Sequence, residues 1–203
     1  MSLTKVFNYA FGGNNVVMRF IMLIIACATV IGSVPAAGYG IHLARCYAAG
    51  VETPDFEPFN GKMWSYGWHS IVTFLLYGIL WLPFSFLAVQ ARIFVLFPIL
   101  MLAGAFFSPA VLLYAAVSDS IGYRKMFACI SQCLSLEYLA IGVIYALCNF
   151  ASNCVSGLLE GQPLVRFGFQ IITAVFAGPI LTLIMVQLAK LRDIPFPGGD
   201  IAE

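Results

Sequence analysis

The sequence predicts an all-α, polytopic integral membrane protein, and three observations lead to that prediction. First, 62% of the 203 residues are hydrophobic and only 9% are charged, whereas soluble domains are about 45–50% apolar and about 25% charged. Second, the mean hydropathy is +0.95, so a soluble globule could not cover its surface with polar groups. Third, the apolar runs lack the alternating polarity of barrel strands. A soluble enzyme and a disordered chain are excluded, and a net charge of +1 argues against nucleic-acid binding.

Five stretches without Asp, Glu, Lys or Arg mark the candidate membrane segments. Each reaches the roughly 20 residues that an α-helix needs to cross a hydrocarbon core of about 30 Å, and backbone hydrogen bonding inside lipid favours helices. We expect about five embedded helices, within a range of four to six, in a single membrane domain over 1–203. The segments are residues 20–44, 63–91, 93–118, 138–159 and 167–189.

The first segment has the features of a signal peptide: basic residues Lys5 and Arg19, an apolar run and then small residues. We interpret it as a retained first membrane helix. Five full crossings would place six Lys and Arg residues on one side and four on the other, with the N-terminus on the less basic, non-cytoplasmic side. The run Gly32-Ser33-Val34-Pro35 could instead turn the segment back, and prolines also interrupt three later segments. The residues are therefore compatible with an odd or an even number of crossings.

Two stretches between the segments are predicted to be interfacial helices. Residues 38–50 place His42 and Arg45 one turn apart, and Trp64 and Trp68 follow as an aromatic belt at the membrane boundary. We expect Arg45 to contact lipid headgroups.

The second interfacial stretch, residues 119–136, has the pattern of an amphipathic helix in the headgroup plane. Arg124 and Lys125 face away from its apolar side and are also expected to contact headgroups. The apolar side is predicted to contain Met126, Ile130 and either Cys133 or Leu134.

Several motifs follow one another in an order that resembles a known family. The first are Gly38-Tyr39-Gly40-Ile41-His42-Leu43-Ala44-Arg45, Thr53-Pro54-Asp55-Phe56 and Trp64 with Gly67. The later ones are Phe107-Ser108-Pro109-Ala110, Glu137-Tyr138-Leu139 and Gln187-Leu188-Ala189-Lys190. From about Phe7 to Arg192 the chain resembles the domain-of-unknown-function family 4013 of bacterial and archaeal polytopic membrane proteins. The resemblance implies a multi-pass protein of the prokaryotic cytoplasmic membrane and implies no particular activity.

The two histidines are candidate cofactor ligands. His42 and His69 both lie near expected membrane boundaries, where an imidazole can ligate haem iron or chlorophyll magnesium, or relay protons. A histidine whose polar edge lies among headgroups explains both more simply, so a bound haem or chlorophyll is not favoured. The six cysteines include no Cys-x-x-Cys pair, and no histidine follows at zinc spacing. We therefore predict no metal site.

Three polar residues in or beside the fourth segment are candidates for an ion or polar pathway. Glu137 precedes the segment, and Asn149 and Asn153 lie four residues apart within it. Intramembrane ionisable groups are functional candidates by default. The Glu137 carboxylate can equally pair at the interface with Arg124, Lys125 or Arg166. Two asparagines on one helix face can form interhelical hydrogen bonds. These structural interpretations are favoured for all three residues.

The sequence lacks catalytic signatures: it has no Gly-x-Ser-x-Gly elbow, no phosphate loop and no His-Glu-x-x-His motif. The favoured hypothesis is a non-enzymatic accessory or structural subunit of a larger membrane protein complex, with membrane lipids and other subunits as partners. One alternative is a transporter or permease component that uses the polar residues of the fourth segment. The other is a cofactor- or pigment-binding subunit of a bioenergetic complex that uses a histidine.

Overall fold

The computed structural model describes residues 3–12, 15–29, 31–54, 56–57, 59–92 and 96–196. Within these ranges the regular secondary structure is helical and contains no β-strand, as predicted. The eight helices are α1 (Leu3–Ala10), α2 (Val16–Cys27), α3 (Ser33–Ala49), α4 (Gly61–Gln90), α5 (Leu96–Val117), α6 (Tyr123–Cys133), α7 (Leu136–Leu158) and α8 (Pro163–Leu191).

Four helices, α4, α5, α7 and α8, are long and apolar enough to cross a membrane. They contain 22 to 30 residues, so the shortest is about 33 Å long and exceeds the hydrocarbon core of about 30 Å. They correspond to the last four predicted segments. Because α5 packs against α4, α7 and α8, it occupies the centre of this bundle. The chain is therefore a multi-pass integral membrane protein.

The first predicted segment, residues 20–44, is not one membrane-crossing helix. It is divided between α2, which ends at Cys27, and α3, which begins at Ser33. With 12 residues, α2 is only about 18 Å long. Cys27 and Ser33 both line the same cavity as Val175 in the middle of α8. The break thus lies at mid-bundle depth, and α2 and α3 form a re-entrant hairpin, which is tolerated where protein surrounds it.

The two ends of this hairpin lie side by side. The hydroxyl of Tyr9, before α2, donates a hydrogen bond to the carbonyl of Val51, after α3 (2.9 Å). The hydroxyl of Thr53 donates to the carbonyl of Tyr9 (2.9 Å). The chain therefore leaves the bundle on the side from which it entered. Because α3 continues to Ala49, the separate interfacial helix predicted over 38–50 is instead the second half of α3.

Thr29 satisfies the backbone of the hairpin turn. Its hydroxyl donates to the carbonyl of Ala26 (3.1 Å) and accepts from the N–H of Gly32 (3.0 Å). Its carbonyl accepts from the N–H of Ser33 (3.1 Å). Backbone polar groups inside hydrocarbon must be paired within the protein, so this local pairing lets the chain reverse direction there.

Proline does not break the other apolar segments. The helices α4, α5 and α8 continue through Pro83, Pro109 and Pro179. In α3, Pro35 lies in the first turn, where a missing N–H removes no intrahelical hydrogen bond. Of the sequence alternatives, the one in which the chain turns back before Pro35 is confirmed.

The closest approach in the bundle is between α3 and α4, and two glycines make it possible. Gly38 lies against the backbone of Met63 and Gly67, and Gly67 lies against the backbone of Val34. A Cβ atom on either glycine would lie well inside van der Waals contact with a carbonyl oxygen. Small residues of this kind allow helix backbones to approach in membranes. They hold the hairpin against the start of α4.

The predicted amphipathic helix within residues 119–136 is confirmed as α6. Arg124 and Lys125 are exposed on its outer side, as expected, whereas Leu134, one of the two predicted apolar alternatives, is also exposed. The buried face consists of Met126, Cys129, Ile130 and Cys133.

The hairpin gathers most of the positive charge on one side of the membrane. We call this side the basic face; it carries α1, the connection after α3, α6 and the C-terminal end of α8. The expected six-to-four division was wrong because it assumed that residues 20–44 cross the membrane, which separated Lys5 and Arg19 from the other basic-face cations. Arg92 and Arg166 lie at the opposite face. The basic face holds the remaining eight of the ten Lys and Arg residues: Lys5, Arg19, Arg45, Lys62, Arg124, Lys125, Lys190 and Arg192.

By the positive-inside rule, we predict that the basic face is cytoplasmic and that the N-terminus lies on the same side. In a cysteine-free background, Lys5→Cys and Glu52→Cys should resist a membrane-impermeant maleimide in intact cells and react after permeabilisation. Glu160→Cys, at the opposite face, should react in intact cells. Labelling of positions 5 and 52 from opposite sides would contradict the hairpin, and inverted labelling of all three would contradict the orientation.

Candidate functional site

A groove on the outer side of the bundle brings together polar groups from three spanning helices. It has a volume of about 330 Å³, and α5 forms its floor between α4 and α7. Small residues leave the space. We call it the α4–α5–α7 groove; the residues that matter here are Gly78, Trp81, Ser85, Gly104, Ser108 and Asn149.

Two tyrosine hydrogen bonds fix the walls of this groove. The hydroxyl of Tyr77 on α4 donates to the carbonyl of Gly104 on α5 (2.7 Å). The hydroxyl of Tyr138 on α7 donates to the carbonyl of Phe106 (2.7 Å). Because a buried polar group without a partner is costly, these two hydrogen bonds hold α4 and α7 in fixed positions against α5. This arrangement sets Asn149 at the rim of the groove.

Asn149 and Asn153 lie on the outer side of α7, and both are exposed. The Nδ2 of Asn153 donates to the backbone carbonyl and to the Oδ1 of Asn149 (2.9 Å each). Each side-chain amide has two donor and two acceptor positions, and in the described part of the chain the Oδ1 of Asn153 accepts no hydrogen bond. The pair therefore presents unused amide positions outward.

These amides lie deep in the span. Asn149 is about 20 Å from the start of α7 and about 14 Å from its end, at 1.5 Å per residue. Lipid tails provide no hydrogen-bonding partner at that depth. Nearby, the Nε1 of Trp81 is buried without a partner among the described residues. Because this nitrogen is buried, the groups open to a polar side chain of another transmembrane helix are the two exposed amides.

Glu137 does not join this site. It lies in the first turn of α7, where its carboxylate is 3.6 Å from the guanidinium of Arg192 and is well exposed. The twelve residues between Glu137 and Asn149 correspond to about 18 Å of helix. A single polar site built from Glu137, Asn149 and Asn153 is therefore wrong. In the described structure the Glu137 carboxylate pairs with a cation, as favoured, but the cation is Arg192 and is none of the three expected from the sequence. The hydrogen bond between the two asparagines lies within one helix and is not interhelical.

Arg45 is buried, so the predicted headgroup contact is wrong for this residue. Only 4% of it is exposed. Its Nε donates to the carbonyl of Ala116 near the end of α5 (3.0 Å), and its Nη2 pairs with Asp119 (2.8 Å). The guanidinium also lies 4.6 Å from the centre of the Tyr66 ring, a cation–π distance. Arg45 thus links α3 and α4 to the end of α5.

The two histidines lie around this same arginine. His42 stacks on Tyr66, with 6.1 Å between ring centres, and its Nε2 is 3.9 Å from the Cys46 sulfur. Burial, helped by the positive charges of Lys62 and Arg45, lowers the pKa of His42, which favours neutral imidazole. The Nε2 of His69 is buried without a described partner. Neither ring lines the groove.

No cluster of metal-binding side chains occurs in the described ranges. All six cysteines are free thiols. On α6 the hydrogen bond to Cys133, together with burial, raises the pKa of Cys129, so this thiol is unreactive. Trp64 and Trp68 lie near the start of α4, and Trp68 is exposed, a placement that suits a boundary belt.

A second cavity, of about 550 Å³, lies beside the hairpin turn. It is lined by α2, α3, α4, α5 and α8, and its walls are almost entirely apolar apart from Ser33, Ser70 and Thr182. The sequence did not predict this cavity. The signal that could have indicated it is the set of small residues in the two apolar segments: Ala36, Ala37, Gly40, Ala174 and Gly178.

No protein-family model, no curated protein and no solved structure matches the chain. The resemblance to family 4013 stays a prediction from the motifs, and the function must be inferred from the geometry of the chain itself.

Proposed function

We propose that the chain is a non-enzymatic accessory or structural subunit of a larger membrane protein complex, and that a transmembrane helix of a partner subunit occupies the α4–α5–α7 groove. The observation that carries the proposal is the outward-facing pair Asn149 and Asn153 within a span, with Asn149 near its middle. An exposed amide in hydrocarbon is unfavourable, and an interhelical hydrogen bond removes that cost.

The shape of the groove supports the same proposal. Its floor and one wall contain Gly78, Gly104 and Ala105, and small residues at an interface let a second helix approach closely. We also propose, from the family resemblance, that the complex lies in the prokaryotic cytoplasmic membrane.

The alternative functions gain less support from the geometry. A transport pathway along the fourth segment would need Glu137 near the asparagines, and Glu137 is instead paired with Arg192. A haem or chlorophyll site would need space beside His42 or His69. Neither ring lines the groove or the apolar cavity beside the hairpin.

We expect the double variant Asn149→Leu/Asn153→Leu to release the chain from its partner. Interhelical polar contacts are worth about 0.6 kcal/mol on average, with a maximum of about 1.7, so loss of two should weaken association by roughly one order of magnitude. The measurement is mild detergent extraction, native gel separation and mass spectrometry of the band. Wild-type protein should migrate in a large band with fixed partners, well above 22.1 kDa, and the variant should leave that band.

The matched control is Cys148→Leu/Cys154→Leu, which adds two leucines at other exposed positions of α7 and should leave the band unchanged. A wild-type band at the mass of the monomer, or at a simple multiple of it, would contradict the subunit proposal. Retention of the partners by the asparagine variant would contradict the role of the groove.

A further inference from the structure

A polar pocket of about 850 Å³ lies on the basic face, apart from the groove. It is bounded by α1, the start of α2 and the connection that follows α3. The residues that carry the inference are Lys5, Asn8, Asn15, Arg19 and Glu52.

Arg19 is the unusual member of this pocket, because a charged side chain is seldom buried without a counter-ion. Only 4% of it is exposed. Its Nη2 donates to the carbonyls of Ala10 (2.7 Å) and Gly12 (3.2 Å) just beyond α1. These neutral carbonyls stabilise the positive charge of Arg19 but do not neutralise it. Among the described residues its buried Nε has no hydrogen-bond partner, and no carboxylate forms an ion pair with it.

The other side chains around the pocket favour an anion. Lys5 adds a second positive charge, and Asn8 and Asn15 add amide donors. Glu52 is the one described carboxylate in the lining; it is exposed, and its backbone carbonyl accepts from Tyr9 (3.2 Å). The two cations therefore outweigh the single carboxylate.

The helix α1 borders the pocket on the basic face. This short helix buries Val6 and Ala10 and leaves Leu3 and Phe7 exposed, as expected for a helix that lies along the membrane surface. The anionic lipids of the cytoplasmic leaflet attract basic residues. Each basic residue near that surface contributes about 1 kcal/mol to the free energy of membrane binding.

We propose that this pocket binds a phosphate-bearing anion through Arg19 and Lys5. The guanidinium fork and the ammonium group are the two side-chain cations best suited to phosphate oxygens. The phosphodiester headgroup of an anionic lipid in the adjacent leaflet and free inorganic phosphate share this chemistry. The site does not depend on the proposed subunit function, because the pocket and the groove use different helices.

The test uses the full chain in nanodiscs, with phosphatidylglycerol or phosphatidylcholine as the probe lipid and inorganic phosphate as the soluble probe. Native mass spectrometry should count one retained phosphatidylglycerol per chain. Arg19→Gln should weaken retention about tenfold or more, since charge-assisted hydrogen bonds are worth about 1.5–3 kcal/mol. Arg19→Lys should retain part of the affinity. The control is Arg124→Gln, which removes an exposed cation from the same face.

The outcomes separate the two sources of phosphate. Selective loss of phosphatidylglycerol in Arg19→Gln identifies a lipid site, whereas calorimetric binding of inorganic phosphate that competes with the lipid identifies a free-phosphate site. An equal loss in Arg124→Gln, or no preference for either anion over phosphatidylcholine, would overturn the proposal. If Arg19→Gln does not fold, Lys5→Gln provides the same comparison, with an expected weakening of a few-fold.

Discussion

Gly67→Ala should disrupt the contact between α3 and α4 and lower the free energy of unfolding by about 3 kcal/mol or more. This value is at the upper end of the range for overpacked sites. The added methyl group would meet the carbonyl of Val34, and neither backbone can move without separating α3 from α4. For a chain of this size, the melting temperature should fall by on the order of 10 °C. The measurement is thermal unfolding in detergent, followed by far-ultraviolet circular dichroism.

Gly78→Ala is the matched control, because Gly78 is in the same helix and a Cβ there would meet nothing within 4 Å. Alanine is favoured over glycine inside a helix by roughly 0.5–1 kcal/mol, so this variant should melt at the same temperature or slightly higher. Equal melting temperatures for Gly67→Ala and Gly78→Ala would mean that the two helix backbones are not in close contact.

Arg45→Met should cost about 1–3 kcal/mol, the usual range when a buried polar group loses its hydrogen-bond partner. The loss leaves the carbonyl of Ala116 without its donor and Asp119 without its cation. Arg45→Lys should recover part of the loss, because a lysine keeps the charge without the fork geometry of arginine. The free energy of unfolding, measured by titration with a denaturing detergent, gives the comparison.

The control for Arg45 is Arg192→Gln, which removes the other described ion pair. The Arg192 and Glu137 side chains are 3.6 Å apart and are 42% and 57% exposed, so the cost should be below about 1 kcal/mol. Asp119→Asn should lie between these values, because the Asp119 side chain is 67% exposed. If Arg45→Met and Arg192→Gln cost the same, Arg45 is not a buried link between helices.

The four spanning helices were predictable because their signal is local: a run of more than twenty uncharged residues has few other options in a membrane. The amphipathic pattern of α6 was also local. Its apolar positions, such as Met126 and Cys133, repeat at helical spacing and face the bundle.

The hairpin was harder to predict because composition does not distinguish a crossing helix from a re-entrant one. The apolar character of residues 20–44 suits both. Contacts between residues distant in the sequence determine which of the two forms. Gly38 and Gly67 allow α3 to pack closely against α4, and the hairpin turn lies beside α8 near Val175. The run Gly32-Ser33-Val34-Pro35 was the only local indication of the hairpin in the sequence.

The site residues divide in the same way. The burial of Arg45 depends on Asp119, 74 residues later, and no local pattern reveals that partner. By contrast, the separation of Glu137 from Asn149 follows directly from the rise of an α-helix. The outward direction of Asn149 and Asn153 depends on which face of α7 packs against α5, and the tertiary structure determines that face.

The re-entrant hairpin has a consequence for biosynthesis. Its two arms leave the ribosome before α8, against which both arms pack. At a synthesis rate of about 5–20 residues per second, roughly ten seconds or longer pass between synthesis of the hairpin and synthesis of α8. Until then, α8 does not cover the hairpin turn. During that interval α4, through the glycine contact, and α5, which also packs against α3, support it. A chain truncated before α8 should therefore expose the hairpin to membrane proteases, even though three spanning helices are already inserted.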